Sequence, residues 1–253
     1  MKLRIDKLLV ERGLAASRER AQAMILAGRV LVNRQKVEKS GASVDADAEI
    51  RLLGEDLRYV SRGGLKLEAA LGHWNINLTD RICMDVGTST GGFTDCLLQH
   101  GAAQVIAVDT GYGQIAAKLR SDPRVKLLEK TNARYLTREQ LQRAGAECDV
   151  SFIALDVSFI SVTLVLPAAL SAGFSASQAP VHEIIVLVKP QFEAGRHFVG
   201  KGGIVKDEQV QQRAVDKVRD AVERLGGREV EEIESPILGM EGNREFLLHA
   251  QFR

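Results

Sequence analysis

At 253 residues with 45% hydrophobic content, the chain can bury a full core in one large domain plus a small one. No apolar stretch reaches the ~18 residues of a membrane helix, and the start MKLRIDKLLVERG is charged where a secretion signal is apolar. Membrane spans and export are therefore not supported, and the cytoplasm is the expected compartment. The net charge of +1 hides an asymmetry: residues 1–40 hold ten Lys or Arg against four Asp or Glu, a balance of +6 that leaves −5 on the remainder. A basic head on a mildly acidic body is the charge pattern of a phosphate-binding module attached to something else.

The head opens with a helix carrying Leu8 and Leu9 and stopped at Gly13. Ser17 caps a second helix, which carries Ala21, Met24 and Ile25 and ends at Gly28, and the strand VLV follows. Arg4, Lys7, Arg12, Arg18, Arg20, Arg29 and Arg34 fall largely on polar positions of this frame, so they can line one face and bind RNA phosphates without disturbing the core. Ile50 and Leu52 alternate before a turn at Gly54, Glu55 and Asp56, and the composition changes across LRYVSRGG. The boundary is expected near residue 60, giving a head over 1–60 and a body over 61–253. In the body, short apolar runs at Ile82–Val86, Val105–Asp109, Val125–Leu128, Val150–Leu155 and Ile184–Val188 alternate with helical stretches. That alternation predicts a doubly wound α/β sheet.

The first of these runs feeds DVGTSTGGFTD, Asp85 to Asp95. A glycine-rich turn between a buried strand and a helix lets backbone N–H groups approach a ligand closely. The dinucleotide fingerprint GxGxxG needs a glycine where Ser89 stands, so a pyrophosphate is not favoured. Asp85 would repel phosphates but can face a cation or a ribose. Asp109, ending the second run, is placed to accept hydrogen bonds from ribose hydroxyls. Together these suit S-adenosylmethionine, which has a ribose, an amino-acid tail and no phosphate. An ordinary connection that binds nothing would not need two consecutive strand-end carboxylates.

Further strand ends carry charge: SFIALD ends at Asp156, IIVLVK ends at Lys189, and FLLHAQF begins just after Glu245. Ligands bind at such ends in open α/β sheets. Lys189 could instead cap the sheet through a salt bridge, and Asp156 could cap a helix. Lys66, in SRGGLKLEAAL, opens the helix before the first strand. A lysine with a neighbouring ammonium can serve as a base, and carboxylates beside it favour the charged form, so two lysines and two acids could tune a base while orienting a ribose. GRHFVGKG, Gly195 to Gly202, nearly satisfies the phosphate-loop pattern but lacks its hydroxyl. The basic loop from Phe192 to Lys206 is expected to be mobile and to fold over RNA or substrate. The three cysteines, Cys83, Cys96 and Cys148, have no CxxC spacing and read as core residues; the five histidines show no ligand spacing, so no metal is expected. No Pro–Cys pair supports pyrimidine carbon-5 methylation, and Asp156 lacks the Pro-Pro-aromatic sequel of amine methylation. Trp74 reads as packing.

In SRERAQAMILAGRVLVN the head resembles the S4 RNA-binding domain, although Arg34 follows Asn33 where many such domains have glycine. Through VSRGGLKL, DVGTSTGGFTDCLL, VDTGYGQ, LDVSFIS, VKPQFE, GKGGIV and GNREF, essentially the whole chain resembles the TlyA, or hemolysin A, family. That family joins an S4 domain to an FtsJ-like ribosomal RNA 2′-O-methyltransferase domain. The resemblance implies a Rossmann-like methyltransferase sheet behind a small α+β head. It also implies S-adenosylmethionine as cofactor, and ribosomal RNA or ribosomal subunits, with cytidine as the acceptor, as partners. It aligns Lys66, Asp156, Lys189 and Glu245 with the family's catalytic set: Lys189 as proton acceptor, Lys66 and Glu245 on the substrate, and Asp156 bordering the methyl donor. Asp85, Gly87, Ser89, Gly91, Phe93, Thr94, Asp109 and Asn132, with Asp156, would form the cofactor pocket. Two other readings stand beside it: an RNA-binding assembly factor without turnover, and a membrane-active hemolysin, for which no spanning or strongly amphipathic segment speaks.

Overall fold

The computed structural model describes residues 2–15, 17–26, 28–37, 39–53, 58–145, 150–174, 181–239 and 242–253, with backbone alone for Glu19 and Ala23. The turn expected at Gly54, Glu55 and Asp56, and the expected core position of Cys148, lie outside the described residues. The chain divides into two compact units, Met1–Asp56 and Leu57–Arg253.

The head contains β1 (Lys2–Arg4), α1 (Ile5–Glu11), α2 (Arg18–Leu26), β2 (Val30–Val32), β3 (Gln35–Lys36), β4 (Ser43–Asp45) and β5 (Ile50–Leu52). The expected helix, turn, helix, strand order is present, and β1 pairs with β4 while β2 lies between β3 and β5. Ile5, Leu9, Ala21, Met24, Ile25, Val30 and Val32 form its core. Val32 pairs with Gln35, so Asn33 and Arg34 make a two-residue hairpin turn, and both have positive φ, +48° and +67°. That twist matches the strands, and it explains why glycine is usual where Arg34 stands.

The body begins at α3 (Gly63–His73) and continues through β6 (Ile82–Val86), α4 (Gly92–Gln99), β7 (Gln104–Val108), α5 (Ala117–Arg120), β8 (Val125–Leu128), α6 (Arg138–Arg143) and β9 (Phe152–Leu155). It ends with α7 (Leu166–Gly173), β10 (His182–Val188), α8 (Pro190–Glu193), α9 (Glu208–Arg224), β11 (Arg228–Glu234) and β12 (Phe246–Phe252). The seven strands run in the order β11-β12-β10-β9-β6-β7-β8. β6 to β10 are parallel to one another, and β12 enters antiparallel between β10 and β11. The strand order reverses between β6 and β9, the crevice where open α/β sheets bind ligands. β11, REVEEIE, was not foreseen: at the sheet edge it is more charged than apolar, so no hydrophobic run marks it.

Side chains alternate between two cores with the period of two that a covered parallel sheet requires. Met84, Val86, Ile106, Val108, Ile153, Leu155, Ile184, Val186 and Val188 meet α7 and α9 on one face. Cys83, Val105, Ala107, Phe152, Ala154, Ile185 and Leu187 meet α3, α4 and α5 on the other. α9 is capped by Asp207, which accepts hydrogen bonds from the Gln209 and Val210 amides, and it buries Val210, Ala214, Val215, Val218 and Val222 along one stripe. Cys83 and Cys96 are buried free thiols, each pushed up to about 12 chiefly by burial, so they behave as small core residues.

Residues 58–64 are bound into the body. Tyr59 is 1% exposed, Arg58 pairs with Glu68, and the Val60 amide donates to buried Asp95 at 2.8 Å. Trp74 stacks on His249 and donates to Glu231, an internal role as expected of a packing residue. Among the described residues no helix is long and apolar enough to cross a membrane.

Candidate active site and nucleic-acid interface

The glycine turn leaves β6 at Asp85 and re-enters helix at Gly92. Gly87 has φ +92°, and a Cβ there would lie 2.5 Å from the Asp156 carbonyl oxygen, so only glycine lets the ends of β6 and β9 approach this closely. Gly91, φ +95°, turns the chain into α4. Ser89 stands at φ +50°, and its amide donates to Asp109 Oδ2 at 2.7 Å. Asp109 also accepts from the Gly111 amide at 2.6 Å, so the carboxylate expected to meet a ribose is oriented by two backbone N–H groups.

Asp85 is fully buried. Its Oδ2 accepts from the Thr94 amide at 2.9 Å and the Thr94 hydroxyl at 2.6 Å, while Oδ1 has no hydrogen-bond partner. Burial pushes its pKa up to about 7, reinforced by the negative charges of Asp156 and Asp109 and opposed by the Thr94 hydrogen bonds. The unpartnered Oδ1 leaves this carboxyl room to accept one more hydrogen bond. Thr94 thus serves Asp85 directly, whereas Phe93 turns its side chain into the core between α3 and α4. Asn132 is exposed, and its side-chain oxygen accepts the Arg134 amide to cap the short 3-10 turn Ala133–Tyr135, so only its amide group remains for a ligand.

Lys66, Asp156, Lys189 and Glu245 are distant in sequence and stand here as two ion pairs. The sheet explains their meeting. Leu155 and Val188 end β9 and β10, and Phe246 begins antiparallel β12 opposite Val188. Asp156, Lys189 and Glu245 therefore leave three neighbouring strands at one edge of the sheet, the edge that also holds the glycine turn. Lys66 comes from α3 and hydrogen-bonds Glu245; both are buried, at 8% and 3% exposure. Gly239 makes room for that carboxylate, since a Cβ there would collide with it. Lys189 Nζ lies 2.5 Å from Asp156 Oδ1, at an angle that makes an ion pair rather than a hydrogen bond, and it donates to Ser158 Oγ at 2.9 Å. The salt bridge weighed as Lys189's structural alternative is thus present, and its partner is another member of the same set. Asp156 caps no helix; Ser161 precedes the next helical turn.

Ser158 was not singled out in the sequence, although a polar residue just beyond a strand's carboxyl end is the kind of signal that could have found it. Beside it, Phe159 is 91% exposed at φ +65° and contacts the Phe192 ring at 5.3 Å. The segment Phe192–Lys206, expected to be mobile, makes hydrogen bonds to Asn243 and within itself at its far end, residues 200–205. Buried Asn243 accepts from the Val205 amide and donates to the Gly203 carbonyl, and the Gly200 amide bonds Ile204. The near phosphate-loop at Gly195 follows α8 rather than a strand, so it lacks the architecture of that motif. Among the described residues no cluster of three or more His, Cys, Asp or Glu could hold a metal ion.

In the head, the cations expected to face RNA divide into two kinds. Arg4 grips Asp6 through two hydrogen bonds, and Arg18 and Gln22 add one each. Asp6 is completely buried and its carboxyl is held far below the usual range, first by Arg4. Arg12 binds the Ala46 and Ala48 carbonyls, and Arg29 binds that of Leu53. Lys7 and Arg34 are exposed, and no ion pair or side-chain hydrogen bond involving them is seen among the described residues. Several of the expected RNA contacts therefore also hold the head together, because a half-exposed guanidinium can bond inward and still present charge outward.

An FtsJ-like methyltransferase model matches residues 59–252 and an S4 domain model matches residues 3–50. The chain is 47% identical over 98% of its length to the rRNA methyltransferase candidate YqxC of Bacillus subtilis, covering 85% of that protein. It is 44% identical over 97% of its length to the 16S/23S rRNA (cytidine-2′-O)-methyltransferase TlyA of Mycobacterium tuberculosis, covering 88% of it. A solved structure of a candidate hemolysin from Streptococcus thermophilus matches 99% of this chain and 88% of its own at TM-score 0.74 and 42% identity. The fold, the paired charges at one sheet edge and these matches agree, and the chain belongs to the TlyA (hemolysin A) family, FtsJ-like methyltransferases with an N-terminal S4 domain.

Proposed function

We propose that this protein transfers a methyl group from S-adenosylmethionine to the ribose 2′-hydroxyl of a cytidine in ribosomal RNA, acting on ribosomal subunits in the cytoplasm. The observation that carries the reading is the convergence of Lys66, Asp156, Lys189 and Glu245 as two ion pairs beside the glycine turn. The cytidine assignment rests on the activity that names the Mycobacterium tuberculosis relative.

The residues of the turn fit that cofactor. Asp85, with a partnerless buried oxygen, suits a cationic group; Asp109 keeps lone pairs for ribose hydroxyls; and the first amides of α4, at Gly92 and Phe93, suit a carboxylate. Gly87, Ser89, Gly91 and Thr94 shape and support this cradle, Asp156 borders it, and Asn132 offers its free amide. When bound, the cofactor supplies an electrophilic methyl group on a sulfonium centre. Moving a methyl from a sulfonium to a hydroxyl releases one proton, and Lys189 takes it after first giving up to solvent the proton it carries in the ion pair with Asp156. Asp156 and Ser158 hold the Lys189 nitrogen, while the Lys66–Glu245 pair, rigid because it is buried, orients the ribose. The target nucleotide leaves its helix to reach this edge, and Phe159 offers an exposed ring on which an unstacked base can lie. The head contributes phosphate contacts through Arg4, Lys7, Arg12, Arg18, Arg20, Arg29 and Arg34.

The decisive experiment follows labelled methyl into ribosomal RNA with the full chain. Lys189→Ala abolishes transfer while cofactor binding by calorimetry survives; full activity in that variant would sink the assignment. Mapping 2′-O-methyl groups in ribosomes with and without the protein separates this reading from a non-catalytic assembly factor.

A further inference from the structure

We propose that Glu193, clamped by Lys217, is a positioning residue that holds the Asp156 loop against the Lys189 strand end. The inference rests on the methyl-transfer reading above and adds a component to it.

Two chain segments carry the Asp156–Lys189 pair, and neither is regular secondary structure at that point. Residues 156–161 follow β9 irregularly, and Lys189 leads directly into the single turn of α8. Beyond the ion pair, the Lys189–Ser158 hydrogen bond and the Phe159–Phe192 contact, they are fastened by Glu193, the last residue of that turn, 6% exposed. Its Oε2 accepts the Ser161 hydroxyl at 2.5 Å and its Oε1 accepts the Val162 amide at 2.7 Å. From α9, Lys217 Nζ donates to Glu193 Oε2 at 3.1 Å, to the Glu193 carbonyl at 3.0 Å and to Ser161 Oγ at 3.2 Å. A carboxylate without a hydrogen-bonded cation would be costly at this depth, so Lys217 completes the clamp.

Between the clamp and the ion pair the chain is strained. Phe159 is a non-glycine residue at φ +65° with a nearly fully exposed side chain, a conformation that persists only when its surroundings over-determine it. The surroundings here are Ser158 on Lys189 at one end, the Phe159–Phe192 contact in the middle and Ser161 with Val162 on Glu193 at the other. Releasing Glu193 frees the loop to relax, and Asp156 and Ser158 then drift from the Lys189 nitrogen. Displacements of about 1 Å from productive geometry cost on the order of 100-fold in rate.

The test compares wild type, Glu193→Gln, Glu193→Asp, Lys217→Met and the Glu193→Gln/Lys217→Met double variant. It reads kcat and its pH profile, KM for S-adenosylmethionine and thermal midpoint. Glu193→Gln is expected to lower kcat about 10- to 100-fold and shift its pH profile, with KM for the cofactor within about twofold. Glu193→Asp should restore part of the rate. Lys217→Met should give a smaller loss in the same direction, and the double variant should be no worse than Glu193→Gln alone, because the two act as one unit. A lowered melting midpoint with unchanged kcat and pH profile below melting would overturn the proposal, as would a loss confined to cofactor KM. If Glu193→Gln fails to fold, Lys217→Met decides alone by the same readouts. A wild type that binds cofactor but methylates no RNA would defeat the methyl-transfer reading instead, which an active wild type with an indifferent Glu193→Gln would leave standing.

Discussion

Among the described residues the head and the body each bury one aspartate completely, and the two behave in opposite ways. Asp6 is surrounded by Arg4, Arg18 and Gln22, and its carboxyl is held far below the ordinary value of 3.8. Asp85 has only Thr94 on one oxygen and other carboxylates near it, and its pKa rises to about 7. The head has thus neutralised its buried charge from within, as a purely structural site must. The body keeps one that it does not neutralise, which a native protein tolerates where a ligand is to bind. The contrast separates a buried aspartate whose partners all come from within its own domain from one that, in the reading proposed above, is kept for a ligand.

The largest expected effect tests the chemical side of that contrast. Lys189→Ala should reduce methyl transfer by about 100- to 10,000-fold, the range of a lost general base, with both units folded as seen by circular dichroism. Next, Lys66→Ala strands the buried Glu245 carboxylate and should destabilise the body by about 3 kcal/mol in denaturant unfolding, besides impairing transfer. Asp6→Asn should lower the melting midpoint of the head by about 5 °C or more while leaving that of the body in place.

Acidity reads the same contrast with the signs reversed. Asp6, with its pKa depressed, contributes stability that is present above pH 3.8 and is lost as pH falls below it. Asp85, with its pKa raised, contributes stability that is full below 3.8 and is lost as pH rises towards about 7. Because a cation binds the ionised carboxylate, cofactor affinity should strengthen between pH 6 and about 8. Calorimetry on Asp85→Asn should show that this pH dependence has gone, and its persistence would detach Asp85 from the cofactor.

The smallest effect sits in the head's hairpin. Arg34→Gly relieves a positive φ and should stabilise the head by about 1 kcal/mol. It also removes an exposed cation, so the salt slope of RNA binding should fall by about one. Lys7→Ala should lower the slope likewise, without the stabilisation. Arg18 and Arg20 are poorer choices for a charge reversal, because a carboxylate at Arg18 would face buried Asp6 and confound RNA binding with folding.

The sheet was legible wherever an apolar run stands: β6, β7, β9 and β10 are buried on both faces, and β8 and β12 also lie on such runs. β11 was not, because an edge strand need not be apolar, and neither was the antiparallel entry of β12, since a run of residues carries no direction of pairing. Three of the strand-end charges were visible because each follows an apolar run. The clamp was not: Glu193 and Lys217 read as ordinary solvated charges, and only the short turn of α8 and the depth of the Ser161 loop make them partners. In the same way Arg4, Arg12 and Arg18 read as surface cations, and only the fold turns them inward.

The sequence by itself determined the two-unit plan, the alternating α/β architecture and the family to which the chain belongs. The plan and the architecture depend on composition, period and local spacing, and the family on a resemblance carried by motifs such as DVGTSTGGFTDCLL and VKPQFE. Tertiary structure alone decided that Lys66 meets Glu245, that Lys189 meets Asp156, that one buried aspartate is satisfied while another is not, and that Phe159 is held in a strained turn. Those facts depend on strand order and on which residues share one edge of a sheet, and contacts between residues as far apart as Lys66 and Glu245 leave no trace in local pattern.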